Sequence, residues 1–465
     1  MASSNLLRNT LVYTIGNFGS KILSFLLIPL YSYFLSKSEL GTYDLLLTTV
    51  QLLLPIVSLQ MNEAVYRWLL DCKSEEEKTK VIRQTIFILC VSFVVIELLI
   101  FITGFFIAIP YQFEFSLLLF TSSLLPFSQQ MVRGLGKTKI YSIAGILNSL
   151  MIFLFSLFFL FSSIFEDKVK GIFYALFLSN IFTIIFLGIS SKISFKNNKN
   201  FKVNLIEYKV FVYYSFPLVL NALSWWLINA SGRYTILHFM SIEDNGIYAI
   251  SSRLPSLLTI INTVFMLAWQ DLVISNENEN TKYYSKIFNN YISFNLGVSI
   301  LLIASSPLVT YLLFDKIYFE SWKYAPLLYL GSCFSSLSGF LGAIYLKSKK
   351  TKGILTTSLI AASVNLVISI LLIKSIGLYS CAIGTFCSFL IMFFYRYYQT
   401  KSMVHLELDF RRLIVQLGIA LSMMILLIVR GDLYSSLVLS ALALISVIYF
   451  NRDLYLFLLT KIKRK

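Results

Sequence analysis

The chain is poor in charge. Only 13% of its 465 residues are Asp, Glu, Lys or Arg, against about 25% in a soluble globular protein. That shortage excludes a soluble enzyme, a disordered chain and a free nucleic-acid binder. Histidine is nearly missing, with His238 and His405 alone. Five cysteines (Cys72, Cys90, Cys333, Cys381 and Cys387) lie scattered, with no Cys-x-x-Cys pair. Neither a disulfide frame nor a metal site can be read from such a set, and no cofactor is expected. Acidic residues are the scarcer charge: 23 Asp and Glu against 39 Lys and Arg leave a net charge of +16.

What the chain has is apolar surface. Hydrophobic residues make up 57%, with 41 Phe and 28 Tyr, and the mean hydropathy is +0.76. One water-facing core cannot hide that much, so the expected class is an all-α polytopic membrane protein. A bilayer crossing takes about 20 apolar residues. Runs of that kind fall at 10–34, 43–66, 84–109, 114–134, 140–163, 170–190, 209–235, 247–272, 286–313, 323–346, 353–374, 377–398, 411–430 and 433–459, about 14 transmembrane helices. No small-residue cleavage site follows the first run, so it reads as a span and not as a removed signal peptide. With both termini on the inside, the inward segments hold about four Lys or Arg for each one in the outward loops. That bias predicts an N-in, C-in topology and explains the basic excess without nucleic acid. Lys461, Lys463, Arg464 and Lys465 then sit at the anionic inner leaflet.

Weak internal repeats divide the chain. Ser36-Lys37-Ser38-Glu39-Leu40-Gly41-Thr42-Tyr43 has a counterpart in Ser241-Ile242-Glu243-Asp244-Asn245-Gly246-Ile247-Tyr248. Gly136-Lys137-Thr138-Lys139 matches Lys349-Lys350-Thr351-Lys352, and Gly171-Ile172-Phe173-Tyr174-Ala175 matches Gly377-Leu378-Tyr379-Ser380-Cys381. Six spans per repeat preserve sidedness, which predicts two pseudo-symmetric six-helix bundles related about the membrane normal. The expected domains are a bundle at 1–190, a basic linker at 191–209, a bundle at 210–400, and two extra helices with a basic tail at 401–465.

Charges inside spans are costly and mark function or pairing. Lys21 lies deep in the first span, with Asn17 one turn earlier on the same face. Arg233 follows Asn229 by one turn late in span seven, and Arg253 precedes Pro255 in span eight. These five form a candidate substrate-binding set: a cationic lining for a phosphorylated group, with ion pairing or snorkelling as the plainer account. Candidate gate or coupling residues are Asp44, Glu63, Arg67, Glu97 and Asp271. Glu63 and Arg67 have the spacing of a helical salt bridge, or Arg67 could meet Asp271 as an inner gate. Glu97 is either a titrating proton site or a neutral acid bonded to a neighbour. Pro29, Pro55, Pro217 and Pro255 fall in spans one, two, seven and eight, where kinks would suit bending. Trp225, Trp226, Tyr213 and Tyr214 could stack on sugar rings or simply pack.

Several segments together carry a resemblance. They are Asn9 to Phe34 with Pro29, Glu39 to Tyr43, Ser58-Leu59-Gln60-Met61-Asn62-Glu63-Ala64-Val65-Tyr66-Arg67, and Arg133-Gly134-Leu135-Gly136-Lys137-Thr138. With these the chain resembles polysaccharide repeat-unit flippases of the multidrug/oligosaccharidyl-lipid/polysaccharide exporter superfamily. The resemblance implies two bundles around a central cavity, bordered by spans one, seven and eight, that alternates between inward-open and outward-open forms. It implies an undecaprenyl-pyrophosphate-linked oligosaccharide as substrate, the bacterial cytoplasmic membrane as location, and a polysaccharide polymerase and chain-length machinery as candidate partners. A peptidoglycan-precursor flippase or a multidrug antiporter of the same superfamily are the alternatives. A membrane polysaccharide polymerase or ligase is a further one, but no outer loop carries a Ser-His-Asp set, a carboxylate pair or a Gly-rich phosphate loop. No enzyme activity is expected.

Overall fold

The structure is a computed structural model. It describes residues 19–162, 164–192, 205–275, 281–348, 351–404 and 406–452. The described residues form α-helices, one 3₁₀ segment and no strand. Helix α1 is described over Gly19–Ser32. It is followed by α2 (Lys37–Ser58), α3 (Met61–Leu69), α4 (Glu75–Gly104), α5 (Gln112–Gly134), α6 (Thr138–Phe161) and α7 (Lys168–Ser191). Then come α8 (Leu205–Phe239), α9 (Ile242–Arg253), α10 (Ser256–Ser275) and α11 (Thr281–Leu313). A 3₁₀ turn (Lys316–Lys323) leads to α12 (Ala325–Lys347), α13 (Thr351–Ile376), α14 (Tyr379–Lys401), α15 (Phe410–Arg430) and α16 (Leu433–Phe450).

Over the described residues the predicted spans therefore coincide with helix. Eleven helices among the described residues are long and apolar enough to cross a bilayer, which makes this a multi-pass membrane protein. Their outer faces fit that solvent: Val94, Leu98, Phe101, Ile185, Leu371 and Ile445 are all exposed. Apolar side chains on this scale are not left in water by a monomeric soluble protein.

Two predicted spans are broken in the structure. The run 43–66 divides into α2 and α3 at Leu59 and Gln60, both left-handed with φ of 45° and 53°. The run 247–272 divides at Leu254 and Pro255, where a kink inside one helix was expected and the chain starts a second helix instead. Proline lacks the N–H that would continue the ladder. Pro55 and Pro217 stay inside α2 and α8. Helix starts are set by side-chain caps. Ser74 and Glu77 form a reciprocal capping box at α4, while Asp167, Ser241, Asp409 and Asp432 cap α7, α9, α15 and α16. Each satisfies backbone donors that a helix start leaves open.

The chain divides into two compact units: Met1–Leu27 with Tyr43–Trp226, and Ile28–Thr42 with Leu227–Lys465. In the first, α3 packs on α5, and α7 packs on both α5 and α6. Met61, Val65, Leu69, Leu89, Phe127 and Val132 form its apolar core. In the second, α14 packs on α12 and α13, and α11 packs on α15 and α16. The predicted linker at 191–209 is helical at both ends, because α7 reaches Ser191 and α8 begins at Leu205; residues 193–204 lie outside the described residues. So does the basic tail.

Inside the second unit the repeated motifs touch. A Cβ on Gly41 would fall 2.0 Å from the Ile242 carbonyl oxygen, and one on Gly246 would fall 2.1 Å from that of Lys37. Only hydrogen fits at either position. The Asn245 amide donates to the Gly41 carbonyl at 2.9 Å, Tyr318 donates to the Leu35 carbonyl at 2.8 Å, and Lys37 pairs with Glu320 at 3.5 Å.

Candidate functional site

The first unit contains a polar cavity of about 240 Å³ within its helices. Its lining combines Ser20, Lys21 and Ser24 of α1, Gln129 of α5, and Tyr141, Ser142, Gly145, Asn148 and Ser149 of α6. Helical spacing explains the grouping. Positions 141, 145, 148 and 149 share one face of α6, and positions 20, 21 and 24 share one face of α1. Gly145 keeps the space open, since a Cβ there would meet nothing within 4 Å. Lys21 is half-buried. A cation in an apolar span is tolerated when it meets polar partners, and the lining of this cavity provides them.

The wall behind the cavity is polar as well. Asn148 donates to Asn180 Oδ1 at 3.2 Å and to Thr183 Oγ1 at 3.3 Å. Asn180 in turn donates to Thr121 and Ser122, each at 3.3 Å. Both hydrogen bonds of the Asn148 amide thus run to α7. Arg133 lies 4.4 Å from the Tyr66 ring centroid and 5.8 Å from that of Tyr141, with Gln130 accepting from it at 3.4 Å. A second cation therefore backs the wall that Tyr141 forms, held by ring faces. The cavity offers Lys21 as a point charge among polar side chains; the hydroxyls of Ser24, Ser142 and Ser149 donate to the carbonyls of Ser20, Thr138 and Gly145 at 2.9, 3.2 and 3.2 Å. Its volume suits a phosphate-sized group and not an oligosaccharide.

Of the predicted binding residues, Lys21 lines this cavity and Asn17 lies outside the described residues. Arg233, Asn229 and Arg253 belong to the second unit. Arg233 donates to the Asn229 carbonyl at 2.7 Å and to the Ser252 hydroxyl at 2.6 Å, 5.4 Å from the Tyr248 ring centroid. It is thereby brought beside the residue that precedes Arg253.

The gate candidates separate. Asp44 is buried near the start of α2. The expected Glu63–Arg67 bridge is corrected: Arg67 pairs with Asp71 at 2.6 Å, and Glu63 accepts from Asn62 at 3.3 Å. Asp71 lies beyond the end of α3 in an exposed turn, where an ion pair loses less hydration than at the half-buried Glu63. The Asp71 carboxylate raises the Arg67 pKa through its hydrogen bond and its charge. Asp271 lies in α10, and its side chain is outside the described residues. Glu97 stands on α4 with Oε2 buried and without a hydrogen-bond partner. Trp226 donates to the Thr48 carbonyl at 2.9 Å and Tyr214 meets Trp68 edge-on, so both pack.

Sequence reasoning missed Arg396, at the end of predicted span 377–398. It is 1% exposed. Its guanidinium donates to the Thr357 hydroxyl (3.0 Å), the Ser338 carbonyl (2.9 Å), the Ser358 hydroxyl (3.1 Å) and the Ile354 carbonyl (3.4 Å). It joins α12, α13 and α14 through neutral acceptors.

Residues 6–273 match the polysaccharide biosynthesis protein family. That is more than half of the chain, and the protein belongs to this family. Its fold is that of the lipid II flippase MurJ and the multidrug resistance MATE transporters. An inward closed structure of MurJ aligns with 96% of this chain and 100% of its own, with a TM-score of 0.74 and 18% identity. An inward-facing multidrug resistance MATE family transporter of the MOP superfamily aligns with 84% of this chain and 95% of its own (TM-score 0.64, 14% identity). An outward-facing MATE structure aligns with 85% and 96% (TM-score 0.57, 15% identity). No curated protein matches the chain in sequence.

Proposed function

We propose that this protein is a flippase that moves undecaprenyl-pyrophosphate-linked oligosaccharide repeat units from the inner to the outer leaflet of the bacterial cytoplasmic membrane, by alternating access, for surface polysaccharide synthesis. The observation that carries this reading is the polar cavity around Lys21, set among apolar helices. A pyrophosphate crossing a bilayer must trade water for fixed donors and positive charge, because an unpaired anion there is prohibitively costly. Lys21 supplies the charge, and Gln129, Tyr141 and Asn148 beside it supply polar groups around the phosphorylated head. The lipid tail stays in the bilayer. Membership of a polysaccharide biosynthesis family and a transporter fold support the same reading. They favour transport over catalysis.

A second reading, a peptidoglycan-precursor flippase, is favoured by the alignment with the whole lipid II flippase chain. Both readings use Lys21 in the same way, and complementation separates them. The protein should restore surface polysaccharide in a strain lacking its repeat-unit flippase, and should fail to rescue depletion of the lipid II flippase. Lys21→Ala should abolish that polysaccharide with the protein still in the membrane. Gly145→Leu, which fills the cavity and leaves the charge, should do the same. Normal polysaccharide in Lys21→Ala would remove the cavity from the mechanism.

A further inference from the structure

Arg133 stands behind the lining of the Lys21 cavity, and several independent contacts put it there. Gln129 lines the cavity from α5, and Arg133 lies one turn further along the same helix face. A Cβ on Gly134 would fall 2.9 Å from Leu69 Cβ and 3.4 Å from Tyr66 Cα. Helix α3 therefore crosses α5 closely at this point and lays the Tyr66 ring beside the guanidinium. The chain then turns at Gly136, with φ of 78°, and the first turn of α6 returns Tyr141 to the other side. The guanidinium carbon lies 4.4 Å from the Tyr66 ring centroid and 5.8 Å from that of Tyr141, and Gln130 accepts from it. Lys137, the next cation along the chain, is engaged elsewhere: its Nζ donates to the Ser191 carbonyl at the end of α7.

Two rings and an amide are neutral, so they hold the guanidinium without cancelling its charge. Tyr141 is the partition, in contact with Arg133 and part of the cavity wall. Among the described residues no Asp or Glu joins that wall. A cation one side chain away from a bound anion acts through a medium less polar than water, where Coulomb attraction is stronger. The attraction scales with the charge on the ligand, and a diphosphate diester carries one more negative charge than a phosphate diester. We propose that Arg133 determines the phosphate specificity of the Lys21 cavity. Lys21 meets the phosphorylated head, and Arg133, fixed between Tyr66 and Tyr141, makes the cavity favour a lipid-linked diphosphate over a monophosphate. This role rests on the flippase reading of the cavity.

The test compares two radiolabelled probes of one lipid and one sugar, undecaprenyl diphosphate N-acetylglucosamine and undecaprenyl phosphate N-acetylglucosamine. Each is titrated against the full-length protein in phosphatidylcholine nanodiscs. The wild type should bind the diphosphate more tightly. Arg133→Gln should weaken diphosphate binding by about tenfold and monophosphate binding by about threefold, because the loss follows ligand charge. The ratio of the two affinities is what a role in packing alone would not move. Arg133→Lys keeps the charge and should keep the ratio. Should Arg133→Gln not reach the membrane, Arg133→Met, which keeps a stem between the rings, carries the same expectation. Lys21→Ala should lose both probes. Equal weakening of both probes in the neutral variants, an unchanged ratio, or a ratio lost in Arg133→Lys would overturn the role of Arg133 and leave the flippase reading intact. Full affinity for both probes in Lys21→Ala, or no binding of either to the wild type, would instead overturn the flippase reading, and the role of Arg133 with it.

Discussion

Helices α2 and α9 open alike and end differently. Each begins with a short polar turn and a glycine, and those glycines press against each other's neighbouring carbonyls. From there α2 runs to Ser58 and is interrupted by two left-handed residues, whereas α9 stops at Arg253 and is interrupted by Pro255. The shared opening is imposed by a backbone contact that admits no side chain. The endings are imposed locally, by conformational strain in one half and a missing donor in the other. The interiors diverge further. The first unit keeps an open polar cavity at Lys21. The second packs Trp269, Phe340, Tyr291 and Phe265 into a stack, with Trp269 and Phe340 centroids 3.9 Å apart, and seals Arg396 inside. A common ground plan thus persists where backbone meets backbone and lapses where side chains decide.

The strongest way to break that comparison is at the glycines. Gly41→Ala should lower stability by about 3 kcal/mol, the upper range for forced overpacking, read as thermal unfolding in detergent. Gly246→Ala should match it. If one is tolerated, the two openings are not equivalent. The sealed interior of the second unit is tested next. Arg396→Lys exchanges a planar fork for three donors on one nitrogen and strands an acceptor. A loss of about 2 kcal/mol is expected in the same assay, and no loss would mean that Arg396 is dispensable to the packing of α12, α13 and α14. The smallest effect concerns the strained ending. Gln60→Gly should raise stability by about 1 kcal/mol, since a left-handed backbone penalises an L-residue by that order. An unchanged midpoint would show that the α2–α3 break is not strained.

How much of this was legible beforehand depended on the physical signal. Long apolar runs at 84–109 or 140–163 declare themselves, because few arrangements other than a bilayer accommodate them. The break at Leu59 and Gln60 does not, since neither residue is a usual left-handed one and tertiary packing holds them there. Lys21 was conspicuous as a lone charge in an apolar run. Its companions Gln129, Tyr141 and Asn148 were not, because neutral polar residues are ordinary in such helices and only folding unites three distant segments. Arg396 was hidden by position: near a span end, a buried arginine and a snorkelling one look the same in one dimension. Arg67 had a carboxylate four residues away on each side, Glu63 and Asp71, and spacing alone could not choose between them.

The reciprocal contact at Gly41 and Gly246 has the form of an isologous interface, in which patch i meets j and j meets i, yet one polypeptide encodes both sides. Two identical subunits would satisfy it with a single codon. A fused pair must satisfy it twice, so a change at either glycine needs a compensating backbone shift opposite it. The two halves have diverged in their interiors, and at this point each remains hostage to the other.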